Sequence, residues 1–377
     1  MNILHIIPSY KPAYVYGGPI YSSSALCEQL VADGHKVTVI TTTANGKDEL
    51  NVPTGVVQQV DGVDTVYFKR YTKDHTHFTP GLIWFLFRNI KKYDAVHIHS
   101  WWNLVSIFTL LVCFVRRVRP VVSPRGMLSD YVIQTNHNFQ KKVIQGVVGN
   151  PLLSKVKFHA TSFAEVNEIK KLYPSSQVAE IFNFVNVPEL TDIGKNGGSQ
   201  EELRLLFLSR VDPKKGLELL FEGLSKVAFP YRLTIAGPYK DEYKQQLEQL
   251  THTLGIAGRI TWAGPVYGDA KFKLLREHDL MALTSYNENF ANIVIESLGM
   301  GTPVLISNMV GLSRYISDND LGWVCTIDPE NIKDTLNKVY SERGRLPAMS
   351  AAAPVLMKRD FDSKVLVNKY IELYKSK

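Results

Sequence analysis

With 377 residues, 45% of them hydrophobic, the chain is long enough for two domains, each with a sizeable core. Its three cysteines, Cys27, Cys113 and Cys325, are too few and too scattered for a disulfide framework or a zinc site, which favours a reducing cytoplasm. The formal net charge of +7 lies wholly in residues 1–185, where 19 Lys and Arg face 12 Asp and Glu; this balance suits an anionic membrane surface or a phosphorylated acceptor. Nucleic acid is not expected as a partner, because no nucleic-acid module or dense basic tract is present.

Apolar, strand-like runs alternate with helical patterns, the signature of parallel sheets covered by helices. Residues 2–7 open the first series without a basic leader or cleavage site, so no signal peptide is expected. Gly17-Gly18 follows in Tyr14-Val15-Tyr16-Gly17-Gly18-Pro19, just before a helix predicted from near Tyr21; such glycines let the backbone approach a ligand at a helix N-terminus. Further strands are predicted at 36–42, 95–99, 121–124 and 157–160. Two segments, 78–92 and 105–115 with Arg116-Arg117-Val118-Arg119, each join an aromatic or aliphatic stretch to a basic end. Both are too short to span a bilayer, and fit either interior helices with dipole-favoured basic ends or an interface with anionic lipid. His97 and His99 alternate along Val96-His97-Ile98-His99, which is read as placing them on opposite sides of the strand, with no compact metal pair. His99 and Trp101, at the strand end, are candidates for lining an acceptor site. Residues 187–202, including the polar, glycine-bearing 195–200, read as an interdomain linker. A second series follows at 203–208, 232–236, 259–262, 280–283, 303–306 and 322–326.

Chemistry concentrates in this second series. Ser209-Arg210-Val211-Asp212-Pro213-Lys214-Lys215-Gly216 places a basic pair, Arg210 and Lys215, directly after a strand, where it can grip phosphate oxygens. Glu288 and Glu296 flank a helix predicted to start near Asn289 to Asn292. At about 1.5 Å per residue, a mostly helical stretch would set them roughly 12 Å apart, the span from a sugar ring to the ribose of a nucleotide sugar. Backbone N–H groups of Phe290, Ala291 and Asn292 would seat a diphosphate between them.

This pair, the Arg210 to Gly216 element, Leu233-Thr234-Ile235-Ala236-Gly237-Pro238, Ile260-Thr261-Trp262-Ala263-Gly264-Pro265 and Gly301-Thr302-Pro303 occur in an order that resembles the retaining GT-B glycosyltransferases of family 4. The resemblance is good over 203–323 and fair over 1–43. It implies an α/β chain of two Rossmann-like domains facing across a cleft. Residues 1–186 would bind the acceptor, with a C-terminal helix of about 360–377 packed on them, and residues 187–359 would bind the nucleotide-sugar. In that scheme Glu296 holds the ribose, Glu288 the sugar and its cationic ring face, and Arg210 and Lys215 the diphosphate. Asn289 to Asn292, Gly17 and Gly18 meet the donor, and main chain near Val266 reads the base. No metal or other cofactor is implied. The chain departs from the family at Ser123-Pro124-Arg125-Gly126, where many members carry a histidine. Arginine cannot serve as a base, so Arg125 is expected to bind a phosphate, an acidic sugar or the acceptor. The function implied is retaining transfer of a sugar to a saccharide or polyprenyl-linked acceptor in surface polysaccharide assembly, by a cytoplasmic enzyme peripheral to the membrane. A nucleotide-sugar epimerase and a non-catalytic binder remain alternatives on the same fold.

Overall fold

The structure is a computed structural model that describes residues 1–129, 131–132, 145–188 and 201–376. The glycine-bearing part of the expected linker, 195–200, lies outside the described residues. Two compact units are present: Met1–Val185 with Phe361–Lys377, and Asn186–Asp360.

The strands of the first unit are β1 Asn2–Ile6, β2 Lys36–Thr42, β3 Ala44–Asn45, β4 Asp48–Glu49, β5 Val57–Val60, β6 Val63–Phe68, β7 Ala95–His99, β8 Val121–Ser123, β9 Lys157–Ala160 and β10 Gln177–Glu180. Eight of them form one sheet in the order β10-β9-β8-β7-β1-β2-β6-β5, and β5 alone runs antiparallel to its neighbour. Its central strands β1, β2, β7 and β8 are buried along almost their whole length, polar residues included, because helices cover both faces. On one face Leu82, Leu86, Val105 and Leu110 pack from helices Pro80–Asn89 and Leu104–Arg116. On the other, Leu26 and Leu30 of helix Gly18–Ala32 meet Leu366, Tyr370 and Leu373 of helix Ser363–Lys375. Helix Leu104–Arg116 is capped by Asn103, whose side chain accepts from Ser106 N at 2.8 Å, and stops at Arg117 in the left-handed region. The β5–β6 hairpin and β10 are not among the strands expected from sequence. The hairpin turns at Asp61-Gly62, both at positive φ, which is the Asp-Gly signal for a two-residue hairpin.

The second unit holds β11 Leu203–Leu208, β12 Tyr231–Ala236, β13 Ile260–Gly264, β14 Leu280–Leu283, β15 Val304–Ser307 and β16 Gly322–Cys325, all parallel, in the order β13-β12-β11-β14-β15-β16. Both sheets are therefore doubly wound. Each has a point where strand order reverses, at β1/β7 and at β11/β14, and ligands of such sheets bind outside the carboxyl ends of the strands there.

Candidate functional site

The loops leaving β11 and β14 are tied together at the second unit's reversal point. Tyr286 N donates to Lys214 O at 2.9 Å, and the Thr284 hydroxyl donates to Gly216 O at 2.8 Å. Gly216 has φ +63°, and a Cβ there would stand 2.3 Å from Thr284 O, so this close approach requires glycine. The result is an ion pair between Lys215 Nζ and Glu288 Oε1, with side chains only 12% and 17% exposed. Burial lowers the Lys214 pKa; Glu288 and Asp212 oppose that, while Lys215 and Arg210 add to it. Three cations, Arg210, Lys214 and Lys215, thus share one electrostatic field with two carboxylates, Glu288 and Asp212. Arg210 is exposed, and Asp212 caps the turn by accepting from Lys214 N.

Glu288 is also fixed through its backbone. Its N–H donates to Met309 O at 3.0 Å, and its carbonyl accepts from Gly311 N at 2.8 Å. Helix Asn292–Gly299 begins only after Ala291, whose φ of +68° is a costly conformation for a residue with a Cβ. Glu288 therefore lies outside the helix, and helical rise does not measure its separation from Glu296. Asn289 is half-buried in the intervening loop, whereas Phe290 is core, at 3% exposure. Glu296 pairs with Lys271 Nζ at 2.8 Å, from helix Gly268–Glu277. Burial raises the Glu296 pKa and Lys271 opposes the rise. Val266 is half-buried between β13 and that helix. Lys214 and Lys271 were missed from sequence: Lys214 stands inside the basic element beside the chosen Lys215, and Lys271 carries no local signal because its partner sits on another helix.

At the first unit's reversal point the loops after β1, β7 and β8 bring Gly17, Gly18, His99 and Arg125 to one end of the sheet. Gly17 needs its φ of +68° rather than space, since a Cβ there or at Gly18 would touch nothing. His97 and His99 do not point to opposite sides. Residues two apart on a strand share a face, and their rings stack at 4.2 Å between centroids. His5, opposite His97 in the β1–β7 register, lies 5.2 Å from both rings. Burial, reinforced by neighbouring charge, pushes His5 and His159 down to about 3 and holds His97 and His99 well below the usual imidazole value. All four are neutral at pH 7.

Neutrality and the hydrogen bonds assign the tautomers. Arg125 Nη2 donates to His99 Nδ1 at 3.0 Å, so His99 carries its proton on Nε2 and donates to His5 Nδ1 at 2.9 Å. His5 then holds its proton on Nε2, which is buried without a partner. In a second chain the Tyr374 hydroxyl donates to His97 Nδ1, His97 Nε2 to Ser123, Ser123 to His159 Nδ1, and His159 Nε2 to Ile181 O. Ligand nitrogens of His5, His97 and His99 lie within 4.8 Å of one another, near enough to suggest a cation. The fit is poor, since every one of those ring nitrogens except His5 Nε2 is committed to a hydrogen bond and a guanidinium already faces His99.

Two acceptor candidates need correction. Trp101 is fully buried, with its indole N–H donating to Gln145 Oε1 at 2.9 Å, so it supports the core. His99 is 1% exposed, with its Nδ1 taken up by the Arg125 guanidinium, so it does not line an open surface.

Residues 16–188 match the family model described as Glycosyltransferase Family 4, and residues 190–354 match that described as Glycosyl transferases group 1. An uncharacterized glycosyltransferase of Methanocaldococcus jannaschii is 27% identical over 91% of this chain and 90% of its own. Among solved structures, sucrose-phosphate synthase from Thermosynechococcus elongatus superposes with a TM-score of 0.77 at 16% identity, covering 100% of this chain and 98% of that one. Anabaena HepE, in complex with UDP and glucose, superposes at 0.70 with 17% identity, covering 99% and 98%.

Proposed function

This chain belongs to the group 1 glycosyltransferases of the GT-B fold, and from that premise we propose a retaining enzyme that moves a sugar from a nucleotide-sugar to a saccharide or polyprenyl-linked acceptor in surface polysaccharide assembly. The observation that carries this reading is the gathering of Arg210, Lys214, Lys215 and Glu288 at the β11/β14 reversal point. Breaking an anomeric carbon–oxygen bond builds negative charge on the leaving diphosphate and positive charge on the sugar ring, so catalysis is chiefly electrostatic. On arrival of a donor, Lys215 transfers from Glu288 to a phosphate oxygen, and Glu288 is released toward the sugar. Glu296, held ionised by Lys271, accepts from ribose hydroxyls, while Asn289 to Asn292 and main chain near Val266 complete the donor seat. HepE was solved with UDP, which makes a UDP-sugar the first donor to try.

Retention follows a front-face route in which the leaving diphosphate takes the acceptor's proton, since Arg125 has no basic lone pair to offer. The lysines and Arg210 supply the positive charge that a divalent ion would otherwise bring, so turnover is expected to survive EDTA. The test is nucleoside diphosphate release from UDP-, GDP-, ADP- and dTDP-sugars, with and without saccharide or polyprenyl phosphate acceptors. Acceptor-dependent release with retained anomeric configuration is expected. Donor conversion without acceptor would mean an epimerase, and binding without turnover a non-catalytic binder.

An anionic membrane surface on the cytoplasmic side is the proposed partner of the first unit. Trp84 (61% exposed), Phe114 (53%) and Val115 (63%) project from helices Pro80–Asn89 and Leu104–Arg116. Arg88 stands 5.4 Å over the Trp84 ring, Arg116 5.1 Å over Phe87 and Lys155 4.6 Å over Phe114. Aromatic rings under cationic heads suit the headgroup layer, and no described helix is long and apolar enough to cross a membrane. Salt-sensitive flotation with vesicles containing anionic lipid, but not with neutral ones, is expected; its absence removes this partner.

A further inference from the structure

Arg125 is a partly buried cation without a counter-ion. Among the described residues no carboxylate lies within ion-pair distance of it. Its Nε and Nη2 both face the single lone pair of His99 Nδ1, at 3.4 and 3.0 Å, and Nη1 faces the Ser22 hydroxyl at 3.0 Å. A guanidinium has five N–H groups, so donors are left over. The carboxylate whose field reaches it, Glu165, is bonded to backbone instead: Oε1 accepts from Gly126 N at 2.7 Å and Oε2 from Thr161 N at 2.8 Å.

The surroundings carry costs that packing alone does not repay. Arg125 sits at φ +54°, outside the usual region for a side chain of its kind. To keep His99 an acceptor for it, the chain of tautomers ends on a buried His5 N–H with no partner, which costs that donor its hydration without replacement. Burial also disfavours the charged form of Arg125 itself. Strain, an orphaned donor and an unpaired cation at a sheet's reversal point are jointly accounted for by a ligand that brings the missing negative charge.

We propose that Arg125, assisted by Ser22, binds an anionic oxygen group carried by the acceptor, so that the acceptor is an acidic saccharide bearing a carboxylate or a phosphate. This deepens, and rests on, the glycosyltransferase reading above. Planar N–H pairs match either oxyanion in a two-point contact, whereas a neutral sugar hydroxyl leaves the charge uncompensated.

The full-length protein, saturated with UDP to occupy the donor seat, is titrated with inorganic phosphate, glucuronate and glucose at constant ionic strength. At least one anion is expected to bind and glucose not to; which anion binds distinguishes phosphate from carboxylate. Arg125→Met should weaken that binding about tenfold or more, the loss of roughly 1.4 kcal/mol or more, and Arg125→Lys by less. The unliganded Met variant should unfold at the same temperature as the parent or higher, because an uncompensated charge has gone; a purely structural clamp would lower it. Equal anion binding by parent and Met variant, or none by the parent, overturns the proposal. Should the Met variant not fold, Arg125→Lys and Ser22→Ala decide, and unchanged anion affinity in both overturns it. UDP binding is read separately: if it persists while the anions fail, the donor reading stands and the acidic acceptor falls.

Discussion

The two reversal points share a topology and differ in how they handle charge. Beside β11/β14 two ion pairs stand, Lys215 with Glu288 and Lys271 with Glu296. At β1/β7 the buried groups are four neutral imidazoles and one guanidinium with neutral partners. Pairing spares the β11/β14 lysines an isolated charge in a low dielectric, and the β1/β7 imidazoles escape it by giving up their charge, which leaves Arg125 as the one cation of that cluster without a counter-ion among the described residues. A paired site can exchange partners with an incoming anion, so that its lysine keeps a negative charge beside it. A neutral cluster instead gains a liability toward acid.

Acidification should separate the units most sharply. The folded-state pKa values of His5 and His159 are depressed to about 3, and those of His97 and His99 lie well below the unfolded value near 6.5. Between those limits the unfolded chain binds more protons than the folded one, so the stability these groups contribute is complete above pH 6.5 and is lost as pH falls toward 3. Each histidine can contribute a slope of about 1.4 kcal/mol per pH unit once its unfolded form is charged. Hydrogen exchange at pH 7 and pH 5, corrected for intrinsic rates, should show β1, β7, β8 and β9 losing protection by several kcal/mol, and β11 and β14 much less. Equal losses in both units would mean that the imidazole cluster is not what acid attacks.

The same contrast sets what the sequence could reveal. In the second unit Arg210, Lys215 and Glu288 lie in the loops that directly leave the buried strands β11 and β14, so each stands within several residues of a recognisable strand. In the first unit the amphipathic edge strand β5 was passed over despite its Asp61-Gly62 turn. The histidine network was also out of reach, because His5 meets His97 only through the β1–β7 register, 92 positions apart. The misplacement of His97 and His99 was different: a period of two puts residues two apart on one face, and the sequence alone contained that answer. Trp101 looked like a strand-end ligand contact, yet nothing local tells a tryptophan at such a position whether it faces solvent or core. Lys271 was unreadable for the reason His5 was, since its ion pair is created by the docking of one helix on another.

Replacing Glu288 by Gln tests the paired site at its centre. The isostere keeps the backbone bonds to Met309 and Gly311, so the fold should persist, while the charge proposed to act on the sugar is removed. A loss of about 2.7 to 4 kcal/mol of transition-state stabilisation, or roughly 10² to 10³ in kcat, is expected, with a smaller change in UDP affinity. Lys215→Met should lose UDP affinity as well, because its ammonium is assigned to the diphosphate. Full turnover by the Gln variant in the diphosphate-release assay would return Glu288 to a structural role.

Lys271→Met gives the smallest effect and the sharpest reading of the pairing. Burial already raises the Glu296 pKa, and Lys271 is the charge that opposes it, so its removal raises that pKa further and leaves a carboxylate 17% exposed without its ion-pair partner. Ribose hydroxyls are held best by the ionised form, so UDP-sugar affinity should fall by about threefold to tenfold, some 1 kcal/mol. The deficit should widen as pH is lowered, since in a carboxyl of raised pKa the protonated fraction grows in that direction. Glu296→Gln should be weak at every pH, which separates loss of the charge from loss of the side chain. A Met variant with parental affinity and a flat pH profile would show Lys271 to be a bystander and leave the ionisation of Glu296 to the helix end alone.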